Sequence, residues 1–366
     1  MTVTGPTPDV VDVVALGESM VTFLPTRPGR LADVPSFERG IGGAESNVAC
    51  ALAAAGHAVR WVSRVGVDGF GDHLVQAVGA YGVDVTAVGR DPERPTGVYF
   101  RTAGDRSTDA HEVAYYRAGS AASAMSTTNV DLSVALSGRV LHLSGITAAL
   151  SGNCLDLLWE LTAPRGGRPL VSFDVNFREG LWGGSAGPEV LLDLARRADV
   201  VFVGADEARE AWGLCDERAL VEALDGPELV VVKQGAAGAA AYERGGRRRL
   251  PSAGSRGLVA KFPAPLEGTH FSPAPEVQVV AAVGAGDAFA AGFLSATLRG
   301  LPVRERLRHG HLWAAAVLTV PGDLAVPPSR GHADRLAALG EDAWGRLRLG
   351  PGWTRAGKAL EEVRTP

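Results

Sequence analysis

The sequence predicts a three-layer α/β fold, in which helices cover both faces of a mostly parallel β-sheet. Short runs rich in Val recur along the chain, and amphipathic or Ala-rich segments separate them. Within each run the residues are apolar almost continuously, which is typical of strands buried on both faces. The alternation of such strands with helices indicates a layered α/β protein.

Each Val-rich run is a predicted strand, and the segments between the runs are predicted helices. The strands are 11–16, 59–66, 139–145, 170–176, 199–204 and 228–235. The helices are 44–55, 70–80, 151–163, 186–197, 206–213 and 217–224, followed by 287–298, 303–319 and 332–340. Gly or Asp bounds the strands, as expected where a chain turns out of a buried strand.

Two regions interrupt this rhythm and predict a small β-sheet beside the main one. Residues 18–40 and 95–118 contain short alternating segments with turn residues, which are typical of small antiparallel strands. We call these two segments the lid. A third region, 244–272, holds Gly, Pro and Ser around an Arg run at 247–249. It is predicted to be a loop or an exposed hairpin tip, because short charge runs are usually solvated.

Length and patterning favour one main domain over residues 8–340, with the lid inserted into it. A chain of 366 residues is long enough for a large domain and an appendage. The remaining segment, 341–366, is a C-terminal extension that contains Trp344 and Trp353 but shows no periodic pattern. No role is predicted for it.

Composition and charge exclude several classes of protein. Hydrophobic residues make up 46% of the chain and charged residues 21%, which excludes a disordered protein. The net charge of −5 argues against a nucleic-acid partner, which would favour a basic surplus. We see no signal peptide and no long apolar run, so neither export nor a membrane partner is expected. Three widely spaced cysteines, Cys50, Cys154 and Cys215, fit neither a disulfide framework nor a zinc site and predict a cytoplasmic protein.

The stretch AAVGAGDAFAAGFL, residues 281–294, is the strongest functional signal. Gly284 and Gly286 allow a ligand to approach the backbone closely, and a predicted helix follows them. A helix start presents unpaired N–H groups and the positive end of the helix dipole, so it binds phosphate. The charge of Asp287 would repel a phosphate, so a phosphate site here implies a second role for this residue. Proton abstraction from a hydroxyl that attacks the phosphorus supplies such a role. The stretch therefore predicts a phosphotransfer site, with a plain Gly turn and Asp cap as the alternative.

Other motifs for phosphate or metal do not fit. The chain has no G-x-x-x-x-G-K-[ST] sequence, which excludes a P-loop. In GAGDAF, Phe289 stands where a dinucleotide-binding motif requires Gly or Ala, and these glycines come late in the chain. His309 and His311 are too close in sequence to share one helix face, so no metal site is expected there.

VGAGDAFAAGF resembles the second signature of the ribokinase-like sugar kinases, the PfkB family. GIGGAESNVACALAAAG, residues 40–56, resembles the first signature of that family. Three further blocks are similar to the family and follow in its order: DVNFR at 174–178, DE at 206–207 and VVVKQGAAGA at 230–239. The similarity extends from about residue 11 to about residue 340, and it implies a ribokinase-like α/β/α fold with a β-sheet lid over the sugar.

The resemblance implies a role for each of these motifs. Asp287 would be the catalytic base, and the backbone of Gly284, Ala285 and Gly286 would form an anion hole. The substrate-binding residues would be Gly42, Gly43, Asn47, Tyr99, Tyr115, Arg117 and Arg178. The nucleotide-binding residues would be Asp174, Asn176, Lys233, Gly235 and Gly238, and Glu207 would hold the metal. ATP and Mg²⁺ are therefore the expected cofactors.

Several segments resemble the 2-keto-3-deoxygluconate kinases within this family. They are GGAESN at 42–47, YYRAGSAAS at 115–123, FDVNFREGLW at 173–182 and PGD…PPSR at 321–330. This resemblance implies transfer of the ATP γ-phosphate to the 6-hydroxyl of 2-keto-3-deoxygluconate, a sugar acid. Arg117 and Arg178 would bind the carboxylate, since a guanidinium matches it in plane, and the transferred phosphate is an alternative partner of Arg178.

Each assigned side chain also has a purely structural interpretation. The two arginines could form surface ion pairs, the two tyrosines could belong to the lid core, and Lys233 could lie at the surface. Asn47, Asp174 and Asn176 could cap helices. For the whole protein, the alternatives are a kinase for fructose or 5-dehydro-2-deoxygluconate, or a non-catalytic sugar- or nucleotide-sensing protein on the same fold.

The chain departs from the family pattern at two places. Gly204 stands where family members often carry Asn, three residues before Glu207, which removes one polar partner of a magnesium ion. Ala281 and Ala282 replace an acid and a Thr or Pro, which argues against activation by a monovalent cation. A homodimer through the lid is a further hypothesis, because exposed edges of small strands tend to be covered.

Overall fold

A nine-stranded β-sheet forms the centre of the structure. The computed structural model describes residues 11–102, 112–182, 186–245 and 266–355. In chain order the strands are β1 (Val13–Leu16), β2 (Met20–Pro25), β3 (Phe37–Gly42), β4 (Val59–Gly66), β5 (Val88–Asp91), β6 (Val98–Arg101), β7 (Val113–Tyr116), β8 (Val140–Ser144), β9 (Leu170–Asp174), β10 (Val200–Gly204), β11 (Leu229–Lys233), β12 (Ala239–Arg244), β13 (Leu266–Ser272), β14 (Glu276–Val277) and β15 (Arg348–Leu349).

Twelve α-helices lie in the described residues, and nine of them correspond to predicted helices. The twelve are α1 (Ala44–Ala54), α2 (Gly69–Ala80), α3 (Leu132–Ala135), α4 (Gly145–Ala149), α5 (Gly152–Leu161), α6 (Gly187–Arg196), α7 (Ala205–Trp212), α8 (Glu217–Ala223), α9 (Ala285–Leu298), α10 (Val303–Leu318), α11 (Arg330–Ala337) and α12 (Glu341–Gly345). Every predicted strand and helix is present, with its ends within three residues of the predicted bounds. In the part of the chain that the structure describes, no helix has both the length and the apolarity needed to cross a bilayer.

The central sheet is parallel over most of its width. Its strand order is β13-β12-β11-β10-β9-β8-β1-β4-β5. From β11 to β5 every neighbouring pair is parallel, whereas β12 and β13 are antiparallel to their neighbours. The parallel strands therefore end at the same edge of the sheet, which is where open α/β sheets bind their ligands.

Alternate residues of each strand pack against opposite layers of helices. In β1, Val13 and Ala15 belong to a buried cluster that includes residues of α1, α9 and α10. Val14 and Leu16 belong to a second cluster, which includes residues of α5 and α6. The prediction of a three-layer α/β/α fold is confirmed, because the near-continuous apolarity of the strands serves two buried faces.

The two lid segments form a separate four-stranded sheet in the order β3-β2-β6-β7. β2 pairs antiparallel with β3, and β6 pairs antiparallel with β7, but β2 and β6 are parallel. The prediction of antiparallel strands is therefore wrong at the centre of the lid. The reason is that β2 and β6 follow β1 and β5, which are parallel strands of the main sheet. Residues 103–111 of the second lid segment lie outside the described residues.

The described part of the region 244–272 includes a strand. Residues 266–272 form β13, which pairs with β12 and is the last strand of the central sheet. The prediction was a loop or an exposed hairpin tip. A loop is wrong for residues 266–272, whose antiparallel pairing with β12 is that of a hairpin arm. The polar and Gly residues of this stretch gave no strand signal, since an edge strand need not be apolar on both faces. The Arg run at 247–249 lies outside the described residues.

Residues 341–355 of the predicted extension pack onto the main domain. Trp344 is fully buried, and its indole N–H donates to the carbonyl oxygen of Pro273 at 2.8 Å. The guanidinium of Arg308 lies 4.6 Å from the centre of the Trp344 ring. Trp353 is also buried, and β15 pairs with β14. This described part of the segment therefore contributes to the hydrophobic core.

Replacing Trp344 by Ala is expected to reduce the free energy of unfolding by about 3–5 kcal/mol, because it leaves a large cavity in the core. Urea-induced unfolding, followed by circular dichroism, measures the change. Trp159→Ala is the matched control, because the Trp159 ring is only partly buried and should cost less. Equal losses for the two variants would contradict a core role for Trp344.

Candidate active site

A cavity of about 1050 Å³ opens at the edge of the sheet where the parallel strands end. Residues that follow β1, β8, β9, β10 and β11 line it, and so do the first residues of α1 and α9. Lid residues on β6 and β7 line the same cavity. The cavity therefore lies between the lid and the ends of the central strands.

Helix α9 begins at the cavity, directly after Gly284. Gly284 has φ 80° and ψ −4°, a left-handed conformation that favours glycine. A Cβ atom there would lie 2.3 Å from the carbonyl oxygen of Asp323, so no larger residue fits. Gly286 and Asp287 occupy the first turn of α9 and also line the cavity. The backbone N–H groups of this turn and the Asp287 carboxylate are therefore presented to the same space.

Asn47 connects the two signature segments of the sequence. It lies in the first turn of α1, and its side-chain amide donates to Oδ2 of Asp287 at 2.8 Å. Asn47 Oδ1 is buried and has no hydrogen-bond partner among the described residues. This contact brings together residues that are 240 positions apart in the chain.

The surroundings of Asp287 raise the pKa of its carboxyl from 3.8 to about 7. Burial is the main cause, and the nearby carboxylates of Asp174 and Asp323 act in the same direction. The hydrogen bond from Asn47 and the charge of Lys233 oppose the rise. A carboxyl group with a pKa near neutrality can accept a proton and is suited to general-base catalysis.

Lys233 supplies a positive charge close to this carboxyl. Its ammonium group lies 2.9 and 3.0 Å from the two carboxylate oxygens of the buried Asp174. A Cβ atom at Gly286 would lie 3.5 Å from Lys233 Nζ, so the ammonium group also borders the start of α9. Burial alone would lower the pKa of Lys233, but the charges of Asp174 and Glu207 raise it, and the group stays protonated.

Asp323 is a cavity residue that the sequence interpretation did not select. Its side chain is buried, accepts a hydrogen bond from the Tyr99 hydroxyl at 2.7 Å, and forms an ion pair with Arg101 at 2.5 Å. Tyr99 and Arg101 both come from lid strand β6. The only sequence signal was its position in PGD at 321–323, within one of the segments that resemble the kinase branch.

The lid also contributes Tyr115 and Arg117 to the cavity. The Tyr115 ring lies 5.4 Å from the ring of Tyr99 and 5.8 Å from the guanidinium of Arg117, and Tyr115 is exposed. Arg117 forms an ion pair with Glu18, in which both side chains are largely buried. Arg117 is therefore paired inside the protein, whereas the structural alternative had placed such a pair at the surface.

Arg178, Asn176 and Glu207 line the other side of the cavity. Arg178 is about half exposed and lies 3.3 Å from Glu207 Oε1. Glu207 Oε2 accepts the backbone N–H of Gly204 at 2.9 Å, so this carboxylate also caps helix α7. Asn176 has φ 43°, which is uncommon for a residue other than glycine, and its buried Oδ1 has no partner in the described ranges.

The structure brings most of the predicted site residues together. The catalytic and substrate-binding candidates that line the cavity are Gly42, Gly43, Asn47, Tyr99, Tyr115, Arg117, Arg178, Gly284, Gly286 and Asp287. The nucleotide and metal candidates that line it are Asp174, Asn176, Lys233, Gly235 and Glu207. Gly238 and Ala285 do not line it. A Cβ atom at Gly238 would lie 2.4 Å from the carbonyl oxygen of Ser272, so this glycine serves the packing of β12 against β13.

The fold and this cavity define a phosphotransferase of ribokinase-like architecture. The sequence profile of the pfkB family of carbohydrate kinases matches residues 11–330. The chain is 34% identical, over 325 residues, to a 2-dehydro-3-deoxygluconokinase of Bacillus subtilis (strain 168). The matched stretch covers 87% of this chain and 93% of that protein. The chain belongs to the pfkB family of carbohydrate kinases.

Two further comparisons agree with this assignment. A 2-dehydro-3-deoxygluconokinase of Thermoproteus tenax is 31% identical over 335 residues, which is 90% of this chain and 95% of that protein. The crystal structure of a PfkB protein from Polaromonas sp. JS666 superposes with a TM-score of 0.70 at 35% identity, covering 89% of this chain and 99% of the other. The predictions of the family and of a carbohydrate kinase are confirmed.

The raised pKa of Asp287 predicts a pH-dependent loss of stability. The folded state holds this proton more tightly than the unfolded chain, whose carboxyl has its ordinary pKa of 3.8. The stabilisation of the folded state by this bound proton is fully present below the ordinary pKa of 3.8. It is lost as the pH rises from there through about 7. The variant Asp287→Asn has no ionisable side chain at this position, so the variant lacks this loss. The free energy of unfolding of the variant minus that of the wild type should therefore rise by roughly 2–3 kcal/mol between about pH 5 and pH 8.

Urea unfolding at several pH values tests this prediction. Asp131→Asn is the control, because Asp131 is an exposed helix cap whose pKa is lowered by hydrogen bonds from Ser133 and Val134. Its stability difference from the wild type should stay constant above about pH 5. A constant difference for Asp287→Asn as well would contradict a raised pKa.

Proposed function

We propose that this protein transfers the γ-phosphate of ATP to the 6-hydroxyl of 2-keto-3-deoxygluconate, which is the same compound as 2-dehydro-3-deoxygluconate. The observation that carries the proposal is that Asp287, Arg117 and Arg178 line one cavity. This combination offers a base for a hydroxyl and guanidinium groups for a carboxylate. The names of the two curated relatives described above support the same substrate.

Asp287 is the proposed general base. It takes the proton of the 6-hydroxyl while that oxygen attacks the γ-phosphorus, and ADP leaves with the electrons of the broken P–O bond. With a pKa of about 7, a substantial fraction of this carboxyl is ionised at neutral pH. The N–H groups at the start of α9 would stabilise the charge that develops on the transferred phosphoryl group.

Lys233 is proposed to act on the phosphates of the nucleotide. Asp174 fixes its ammonium group beside the first turn of α9, where a transferred phosphoryl group would lie. Fixing the charge before the reaction means that little reorganisation is needed during the transfer. Gly235, which follows Lys233 at the end of β11, would border the nucleotide.

The described residues on this side of the cavity fit a magnesium ion. Mg²⁺ prefers oxygen ligands and is usually held by one or two carboxylates together with substrate phosphates and water. Asp174, Glu207 and the unpartnered Oδ1 of Asn176 provide such oxygens around the cavity. These residues would hold the ion directly or through water, and the ion would neutralise phosphate charge. The absence of Asn at position 204 leaves Glu207 without one expected neighbour.

The sugar would bind on the lid side of the cavity. Asn47, Gly42 and Gly43 lie at the start of α1, where backbone and amide groups can bind hydroxyls. Asp323 adds a buried carboxylate beside them. Closure of the lid would exclude water, which is the competing acceptor of the phosphoryl group. We expect the protein to work in the cytoplasm, as its three cysteines indicate. Ala281 and Ala282 argue against activation by a monovalent cation.

Asp287→Asn should lower kcat by about 10²–10⁴-fold, because it removes the proposed base. The dissociation constants for Mg-ATP and sugar acid, measured by calorimetry, should stay within a few-fold of the wild type. In the wild type, kcat/KM for the sugar should fall about tenfold per pH unit below pH 7, where Asp287 becomes protonated. Full turnover by Asp287→Asn would overturn the assignment of the base, and Asp131→Asn should behave as the wild type.

The substrate is tested by ADP release with Mg-ATP and equal concentrations of five acceptors. These are 2-keto-3-deoxygluconate, gluconate, fructose, ribose and 5-dehydro-2-deoxygluconate. We expect the highest kcat/KM for 2-keto-3-deoxygluconate. Preference for a neutral sugar would contradict the role of Arg117 and Arg178 and favour a fructokinase. Preference for 5-dehydro-2-deoxygluconate would contradict only the choice of sugar acid.

We also propose a homodimer in which two lids meet. The face of the lid that carries Phe23, Phe37, Phe100 and Tyr116 has an aromatic cluster, with the Phe23 and Phe100 rings stacked at 4.7 Å. Tyr116 lies on the outer strand β7 and is 66% exposed. An exposed aromatic residue on an edge strand is a surface that a second copy of this chain would cover.

Tyr116→Lys should shift the protein from dimer to monomer, because it places a charge in the proposed interface. Sedimentation equilibrium measures the dissociation constant. Phe271→Lys is the matched control, since Phe271 is 53% exposed on β13 at the far side of the central sheet. A wild-type protein that is monomeric at every concentration would contradict the dimer.

A further inference from the structure

The lid is joined to the main domain by four connections of the chain. They are residues 17–19 between β1 and β2, residue 43 between β3 and α1, residues 92–97 between β5 and β6, and residues 117–121 after β7. Glu18 lies in the first connection and is almost completely buried. It contacts the other three connections, so it lies where all of them meet.

Two side-chain contacts tie Glu18 to the last connection. Its carboxylate forms an ion pair with Arg117, and it accepts a hydrogen bond from the Ser120 hydroxyl at 2.6 Å. The Glu18 side chain is 2% exposed and that of Arg117 is 10% exposed. A buried carboxylate without a partner is strongly destabilising, so the two groups hold each other in place.

Two glycines allow the remaining connections to pack against Glu18. A Cβ atom at Gly43 would lie 2.3 Å from the backbone carbonyl oxygen of Glu18. A Cβ atom at Gly97 would lie 3.0 Å from Oε1 of Glu18 and 3.5 Å from Cβ of Arg117. The Glu18–Arg117 pair therefore has little freedom to move unless the base of the lid moves with it.

One hydrogen-bond donor of Arg117 is not used by the described part of the protein. Its Nε–H is buried and has no hydrogen-bond partner among the residues that the structure describes. Both Arg117 and Glu18 line the cavity. The ion pair with Glu18 cancels most of the Arg117 charge. Arg117 would therefore bind the carboxylate of a sugar acid through oriented hydrogen-bond donors more than through net charge. Arg178, which is about half exposed and lies 3.3 Å from Glu207, would supply a second guanidinium for the carboxylate.

We propose that Glu18 is a positioning residue that holds the Arg117 guanidinium, and with it the base of the lid, in the orientation that binds the carboxylate of a sugar acid. This inference rests on the proposed function, since it assumes an acidic substrate. Glu18 acts through Arg117. Its removal should therefore weaken binding of the sugar acid and leave the transfer step and the nucleotide unaffected.

Glu18→Gln tests the inference, because it keeps the shape of the side chain and removes its charge. KM for 2-keto-3-deoxygluconate should rise by at least about tenfold, whereas kcat and KM for ATP should stay within about threefold. A structural role alone would lower Tm without this separation of KM from kcat. Glu112→Gln, the same substitution elsewhere in the lid, should leave all three constants unchanged.

A double-mutant cycle shows whether Glu18 acts through Arg117. Arg117→Gln alone should raise KM for the sugar acid, and adding Glu18→Gln should raise it no further. The double variant should also have a higher Tm than Arg117→Gln, because the unpaired buried carboxylate is gone. If Glu18→Gln fails to fold, Ser120→Ala provides the test. It removes only the 2.6 Å hydrogen bond and should raise the same KM by about threefold.

The outcomes separate this inference from the proposed function. A wild-type enzyme that does not prefer the sugar acid overturns the proposed function, and the inference falls with it. A wild-type enzyme that prefers the acid, together with a folded Glu18→Gln variant of unchanged KM, overturns the inference alone. Additive effects of Glu18→Gln and Arg117→Gln on KM would overturn it as well.

Discussion

The site depends on the balance of charge around Asp287. Asp174 and Asp323 both raise the pKa of this carboxyl, so three acidic groups share one small region. Lys233 compensates Asp174 and Arg101 compensates Asp323, each through a close ion pair. Without these cations the three carboxylates would repel one another. Asp174 and Asp323 would no longer be held in ion pairs, and Asp287 would no longer be distinct from them as the proposed base.

The partners in this balance come from separate parts of the fold. Asp174 ends β9 and Lys233 ends β11, with β10 between them, whereas Arg101 belongs to the lid and Asp323 follows α10. Because the main-chain carbonyl of Asp323 also packs against Gly284, a lid contact reaches the start of α9 through one residue. These contacts therefore connect the lid to the helix that carries the proposed base. A shift of β6 would change the position of Asp323 and, through it, the surroundings of Asp287.

The sequence predicted what depends on local pattern. The Val-rich strands, the longer helices and the glycines before Asp287 each have a signal within a few residues, and the sequence predicts them. The helices α3, α4 and α12 were not predicted, because four or five residues are too few to show a helical period. Glu18 has no such local signal, and Asp323 has only its position in PGD at 321–323. The importance of both comes from partners about 100 and 220 residues away in the chain. The parallel pairing of β2 with β6 and the edge strand β13 were missed for the same reason. Both depend on how distant strands are arranged, which no local window contains.

The burial of Trp344 and Trp353 has a consequence for how the protein is made. The central strand β1 is synthesised first, yet the core that covers it includes residues of α9 and α10, and Trp344 and Trp353 complete the same cluster. Because so many contacts join the beginning of the chain to its last third, folding must close long loops and should be slow. A nascent chain that still holds residue 353 in the ribosome has no complete hydrophobic core. We therefore expect the domain to reach its native state only after residue 353 has emerged from the ribosome.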